Sequence, residues 1–346
     1  MNLLTNREYL GLTVPFMLST MTQPLMGAVN TAVMGQLPDP KYIAAVSLGA
    51  ILFNNLYWLF GFLRVSTTGY AAQAFGAADR ELGTLAFFKP LVLALLISIA
   101  CMVLQKPILE GYLAMIGAAP EVNALCREYY YILIWGAPLV LGNYVALGWL
   151  MGQTRVRASV FMQVSMNVLN MALSIWFVFG LHMDIVGVAF ATLLSQLYGG
   201  VISVVLMYYY GEFDYKNLPW GELLDWRTFI GMLKVNVNLM IRTACLLTVN
   251  NIIAAVGASF GTVVLAANAV LLQLKDIMSY LIDGMANGAA IFSGRAVGAK
   301  SGAGLDAAIR MTFKWLVVLA VMLMGVYAAG NEFFIRLFTN LDEVVA

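Results

Sequence analysis

Charge is what this sequence has least of. Asp, Glu, Lys and Arg make up 11% of its 346 residues, against roughly a quarter in soluble domains. The net charge is +1, so there is no basic surface of the kind nucleic acid requires. Histidine occurs once, at His182, and no HExxH or other metal-ligand pattern is present. The cysteines Cys101, Cys126 and Cys245 form no CxxC pair and lie in or near apolar segments. They read as small buried hydrophobes, not as disulfides or ligands. No catalytic constellation appears, so an enzyme is not expected. The run Gly294 to Ser301 approaches a phosphate-binding loop, but Ala299 separates Gly298 from Lys300. It also lies at a helix end and not between a strand and a helix. Nucleotide, metal and organic cofactor are therefore not expected.

What is present is apolar length. Hydrophobic residues make up 62% of the chain and its mean hydropathy is +0.84. A helix crossing a membrane needs about 20 mostly apolar residues, and such stretches recur from end to end. A membrane β-barrel would instead show alternation over segments of about ten residues. The spacing predicts nine helical spans, near 9–35, 42–70, 86–105, 122–150, 157–180, 185–209, 230–257, 262–293 and 309–330. The second, fourth and eighth exceed the minimum, which predicts tilts or kinks. The apolar run after Tyr9 continues past the length of a signal h-region, with no cleavage site behind it, and reads as a retained first span. With the N-terminus inside, eleven Lys and Arg fall in inner loops and ends, and four (Lys41, Lys106, Arg127, Arg336) fall outside. That bias predicts a cytoplasmic N-terminus in a plasma (inner) membrane.

A repeat runs through this pattern. At an offset of 222 residues, Gln73-Ala74-Phe75-Gly76-Ala77 falls on Arg295-Ala296-Val297-Gly298-Ala299, and Ala44-Ala45 on Ala266-Ala267. Six spans precede the second copy, so both copies enter with the same orientation, as in a parallel repeat. The expected fold is an all-α polytopic bundle. It has an N-terminal six-helix lobe (1–210), a cytoplasmic linker (211–227) and a C-terminal lobe (228–346) with about three helices fewer than the first. That shortfall predicts a fragment or a truncated gene.

A charge at the bilayer centre costs about 2.5–3.5 kcal/mol on insertion scales, so each one asks for a reason. In the eighth span Asp276, Tyr280, Asp283 and Asn287 are spaced i, i+4, i+7, i+11 and share one helix face. Lys275 adjoins them, and Arg242 lies in the seventh span. Asp283 and Asp276 are the candidate proton- or cation-coupling groups, tuned by Arg242 and Lys275. A static ion-pair network of the same four residues is the alternative. Gln163, Asn167, Asn170 and Ser174 form a neutral stripe in the fifth span, and Gln23 and Asn30 lie in the first. They either bond helices together or, with Tyr280 and Asn287, line a hydrated cavity. Arg64, in the inner half of the second span, reads as either snorkelling or structurally bonded.

Three stretches in order, Gly27–Gly35, Leu59–Gly69 and Ala72–Ala77, resemble the MATE (multidrug and toxic compound extrusion) family, DinF-like branch. Asn167-Val-Leu-Asn170, Ile241-Arg242 and Leu281-Ile-Asp283-Gly284 extend the resemblance along the chain. It implies twelve helices in two six-helix lobes and export of organic, often cationic compounds against inward H⁺ or Na⁺. Relatives usually carry an aspartate where this chain has Asn30, and many carry one where it has Ser174. Neither substitute binds and releases a proton at physiological pH, whereas Asp283 matches the family pattern. The expected function is secondary active efflux by a monomer taking a small organic substrate in contact with membrane lipid. A lipid-linked saccharide flippase and an inactive truncated product are the alternatives.

Overall fold

The computed structural model of the chain describes residues 4–37, 39–117, 119–210, 221, 226–259 and 262–330. Several side chains between 226 and 276, Asp276 among them, lie outside the described set, as does nearly all of the expected linker. The described elements are helical throughout. In chain order they are α1 (Asn6–Thr20), α2 (Thr22–Gly35), α3 (Pro40–Leu59), α4 (Phe62–Ala77), α5 (Arg80–Val103), α6 (Gln105–Ile116) and α7 (Pro120–Leu133). A short 3-10 turn, Ile134–Gly136, leads into α8 (Ala137–Gly152). Then come α9 (Val156–Ile175), a π turn (Trp176–Gly180), α10 (Asp184–Tyr210), α11 (Trp226–Ser259), α12 (Thr262–Gly298) and α13 (Gly302–Ala329). Each of the nine expected spans is helix. Among the described residues, six stretches are long and apolar enough to cross a membrane: Lys41–Ala77, Arg80–Val103, Pro120–Gly152, Val156–Gly180, Asp184–Tyr210 and Gly302–Ala329. The protein is a multi-pass membrane protein.

Proline sets most of the breaks. A proline ring clashes with the carbonyl four residues earlier and donates no hydrogen bond. Pro24, Pro107 and Pro138 stand four residues after Thr20, Val103 and Ile134, where α1 ends, α5 ends and the 3-10 turn begins. Pro15 and Pro90 are carried inside α1 and α5. The second and fourth spans are accordingly broken, as their length predicts. The eighth is not: α12 is one helix of 37 residues, and Gly284 and Gly288 serve close packing instead of a bend. The span pattern also predicts a loop over 106–121, whereas α6 occupies most of it. Its apolar Leu109 and Leu113 are buried at 0% and 4% exposure, and Tyr112 Oη donates to the Leu48 carbonyl at 3.0 Å.

Lipid offers little hydrophobic drive to join helices, so close backbone approach decides the packing. Small residues at i, i+4 supply it three times. Gly148 and Gly152 of α8 lie on the backbone of α4 at Arg64 and Thr68. Gly284 and Gly288 of α12 lie on Met17 and Thr13 of α1, and Gly294 and Gly298 on α4 at Ala72 and Gln73. Helix α4 is thus held between α8 and α12. Around these seams, Trp149 is buried and its indole N–H donates to the Gly83 carbonyl at 3.0 Å. Cys101 and Cys126 are buried free thiols as expected, but Cys245 is exposed on α11.

One contact carries the repeat. Gly76 lies on the backbone of Arg295, and Gly298 lies on the backbone of Gln73. The 222-residue offset equates Gly76 with Gly298 and Gln73 with Arg295. The counterparts of the two residues in one contact therefore form the other contact, the exchange a two-fold axis produces.

Candidate functional site

The site is built on α12 at the end of its seam with α1. The last tie along that seam is the Thr20 hydroxyl, donating to the Tyr280 carbonyl at 3.0 Å. Beyond it the first span continues as α2, which packs on α9 and α3. From Tyr280 to Asn287 the expected stripe on α12 runs beside α1, between the Thr20–Tyr280 bond and the Thr13–Gly288 contact. Asn287 is 6% exposed and sits inside the packing, so it does not line an open cavity. Tyr280 is half-buried, and the Asp283 side chain is exposed. Asp283 lies within the electrostatic reach of Arg64 on α4 and Arg242 on α11. Lys275 Nζ donates to Asn250 Oδ1 of α11 at 3.0 Å. Of the two cations expected beside Asp283, Arg242 is there and Lys275 is not among those acting on it. Arg64 is the cation that the sequence leaves unassigned. Its position in the inner half of the second span is a signal, but only the packing of α4 on α12 aims it.

The neutral stripe on α9 turns inward among α1, α2 and α10. Asn30 Nδ2 donates to Asn170 Oδ1 at 3.0 Å, and Asn170 Nδ2 donates to Thr192 Oγ1 at 3.0 Å and Ser195 Oγ at 3.5 Å. Asn167 Nδ2 donates to Thr22 Oγ1 at 2.6 Å, and Ser19 Oγ to Gln163 Oε1 at 3.4 Å. Asn167, Asn170 and Ser174 are buried, the last two completely. Gln23 is half-buried on α2. These placements are those of helix-to-helix bonding more than of an open cavity wall. Thr192 and Ser195 of α10 are members the sequence did not single out. Asn30 Oδ1, Ser174 Oγ and Gln163 Nε2 have no hydrogen-bond partner. The cluster contains neither carboxylate nor imidazole, so it has no proton to exchange near neutral pH. Asn170→Ala is expected to lower unfolding stability by about 1–3 kcal/mol, because it orphans the Asn30 amide and removes the bonds to Thr192 and Ser195 of α10. Thermal unfolding in detergent reads this, and Thr22→Ala, which removes one bond between helices, should shift it less.

A protein-family model described as MatE matches residues 15–176 and 239–346. The chain belongs to the MATE family. The two matched segments begin at residues 15 and 239, close to the 222-residue offset of the repeat. Among curated relatives, DNA damage-inducible protein F of Escherichia coli is 34% identical over 336 residues, covering 96% of this MATE chain and 72% of that protein. A probable multidrug resistance protein NorM of Bradyrhizobium diazoefficiens is 26% identical over 342 residues, with 94% and 72% covered. Among solved structures, a MOP superfamily transporter from Pyrococcus furiosus superposes with a TM-score of 0.86 at 22% identity, covering 99% of this chain and 76% of that one. A mutant of the Vibrio cholerae MATE transporter VcmN superposes with a TM-score of 0.84 at 21% identity, covering 98% and 77%. Those superpositions fix the fold, a MATE helical bundle. Within that fold, the polar side chains of the α9 cluster are amides and hydroxyls, whereas Asp283 of α12 bears a carboxyl group.

Proposed function

We propose that this chain is a secondary active efflux transporter that exchanges an organic compound for inward H⁺ or Na⁺ by alternating access. In this reading residues 1–210 and 228–346 are the two lobes, joined by a cytoplasmic linker over 211–227. The N-terminus is cytoplasmic, in a plasma membrane, and one chain suffices. The observation that carries the reading is Asp283, exposed on α12, with Arg64 on α4 and Arg242 on α11 acting on its carboxylate. At membrane depth such a carboxylate interacts strongly with every nearby charge. A proton, a sodium ion or a cationic compound arriving at Asp283 competes with the two guanidinium groups. Occupancy is therefore tied to how α4 and α11 sit against α12, which is what an exchanger requires. Asp276 would assist from two turns earlier on the same helix. Nothing in the described geometry or the relatives favours a lipid-linked saccharide flippase.

Ethidium efflux from energised cells expressing the chain tests this. Efflux that stops when the proton gradient is collapsed, or when Na⁺ is removed, identifies the coupling ion. Efflux indifferent to both overturns antiport.

A further inference from the structure

Where α1 begins and α12 ends, four helices enclose a cavity of about 580 Å³. It lies where the apolar spans give way to charge at Asp79, Arg80, Glu81 and Lys300, the depth of lipid head groups. Its floor is apolar: Leu12 of α1 and Phe292 of α12 line it and are each 8% exposed. Its polar lining is mainly basic. Arg7 of α1 and Arg295 of α12 both border it. The Arg295 guanidinium is held 5.0 Å over the Phe75 ring, which limits where it can point. Glu8 also borders the cavity; its carboxylate accepts from the Thr5 N–H at 3.1 Å and the Thr5 hydroxyl at 3.0 Å in the α1 cap and lies within electrostatic reach of Arg295, so it offsets part of the basic lining. Val156 of α9 lines a third side. The fourth wall is the first turn of α13, capped by Ser301, whose hydroxyl accepts from the Gly304 N–H at 3.1 Å. The positive end of that helix faces the same space. Two arginines over an apolar floor match a molecule with an anionic head and a hydrocarbon tail. Basic pockets between membrane helices recognise lipid phosphate in this manner.

We propose that this cavity binds an acidic phospholipid, its phosphate between Arg7 and Arg295 and an acyl chain against Leu12 and Phe292. Because α1 and α9 lie in one half of the repeat and α12 and α13 in the other, the bound lipid ties the two halves together at their closely packed end. The inference does not depend on Asp283 or on the direction of transport.

Gly11 supplies the test, because it borders the cavity and a side chain there meets open space. Gly11→Leu places a side chain in the cavity from a position where a β-carbon meets nothing, and Arg7→Gln removes one exposed cation. The purified chain would be titrated with tail-labelled phosphatidylglycerol by fluorescence anisotropy. Competitors would be unlabelled phosphatidylglycerol, phosphatidylcholine and inorganic phosphate, with each variant first checked as monodisperse by gel filtration. Phosphatidylglycerol should compete about tenfold better than phosphatidylcholine, and each variant should weaken it by about tenfold. Equal competition by the two lipids, or full binding by Gly11→Leu, would overturn the site. Displacement by millimolar inorganic phosphate would overturn the lipid in favour of a soluble anion.

Discussion

Gly298→Leu is expected to stop transport while leaving the chain folded and inserted, and Gly76→Leu is expected to do the same. Each glycine lies on the backbone of the other motif, so a side chain at either position overlaps main chain that cannot rotate away. Overpacking of that kind costs about 1–3 kcal/mol. The strain falls on the state in which α4 and α12 are closed on one another, and the open state escapes it. A penalty of about 3 kcal/mol on one state of a two-state cycle depletes it more than a hundredfold. Efflux per inserted molecule should fall by about that factor, with Gly298→Ala intermediate. Gly325→Leu is the control, since a β-carbon there meets nothing within 4 Å. Normal rates for both leucine variants would show that the closed contact is not a station of the cycle.

Asp283→Asn is expected to remove both the bulk of efflux and what remains of its dependence on H⁺ or Na⁺. The amide keeps the shape of the carboxylate but holds neither a titrating proton nor a charge for sodium. The change also removes a negative charge that acts on Arg64 and Arg242, which by itself can shift stability. A second variant separates the two effects. Asp283→Asn combined with Arg242→Gln relieves the excess positive charge, so it should recover the unfolding temperature without recovering transport. Recovery of both would make Asp283 a structural ion-pair partner. Efflux by Asp283→Asn with unchanged ion dependence would remove Asp283 from coupling altogether.

Much of the fold can be read from the chain because lipid simplifies the rules. Apolar length marks each span, proline marks three of the breaks through the carbonyl four residues earlier, and pairs of glycines mark the seams. The repeat is legible in AQAFGA and RAVGAK, although only the structure reveals that these two motifs touch each other. The candidate site is less legible. A helical wheel shows that Asp283 and Asn287 share a face, but not that the packing around α12 encloses one and leaves the other open. One is therefore exposed and the other buried. Lys275 adjoins Asp276 in sequence, and its four-carbon stem also brings the ammonium to Asn250 on another helix, a bond that sequence spacing does not reveal. Arg64 becomes a partner of Asp283 only through the packing of α4 on α12, a relation between residues more than two hundred positions apart.

The first and last described helices are bonded directly. Tyr9 Oη donates to Thr312 Oγ1 at 3.1 Å, across 303 residues of chain, and Lys314 and Trp315 both donate to Asn6. A ribosome adding about 5–20 residues per second needs roughly 15–60 s to supply those partners after Tyr9 is made. Through that interval α1 must be kept in place by what is already synthesised, and Ser19 with Gln163 and Thr22 with Asn167 are available about halfway through. The buried amides of α9 thus act as a temporary berth for the first span, and the order of synthesis gives them a task that the finished bundle no longer reveals.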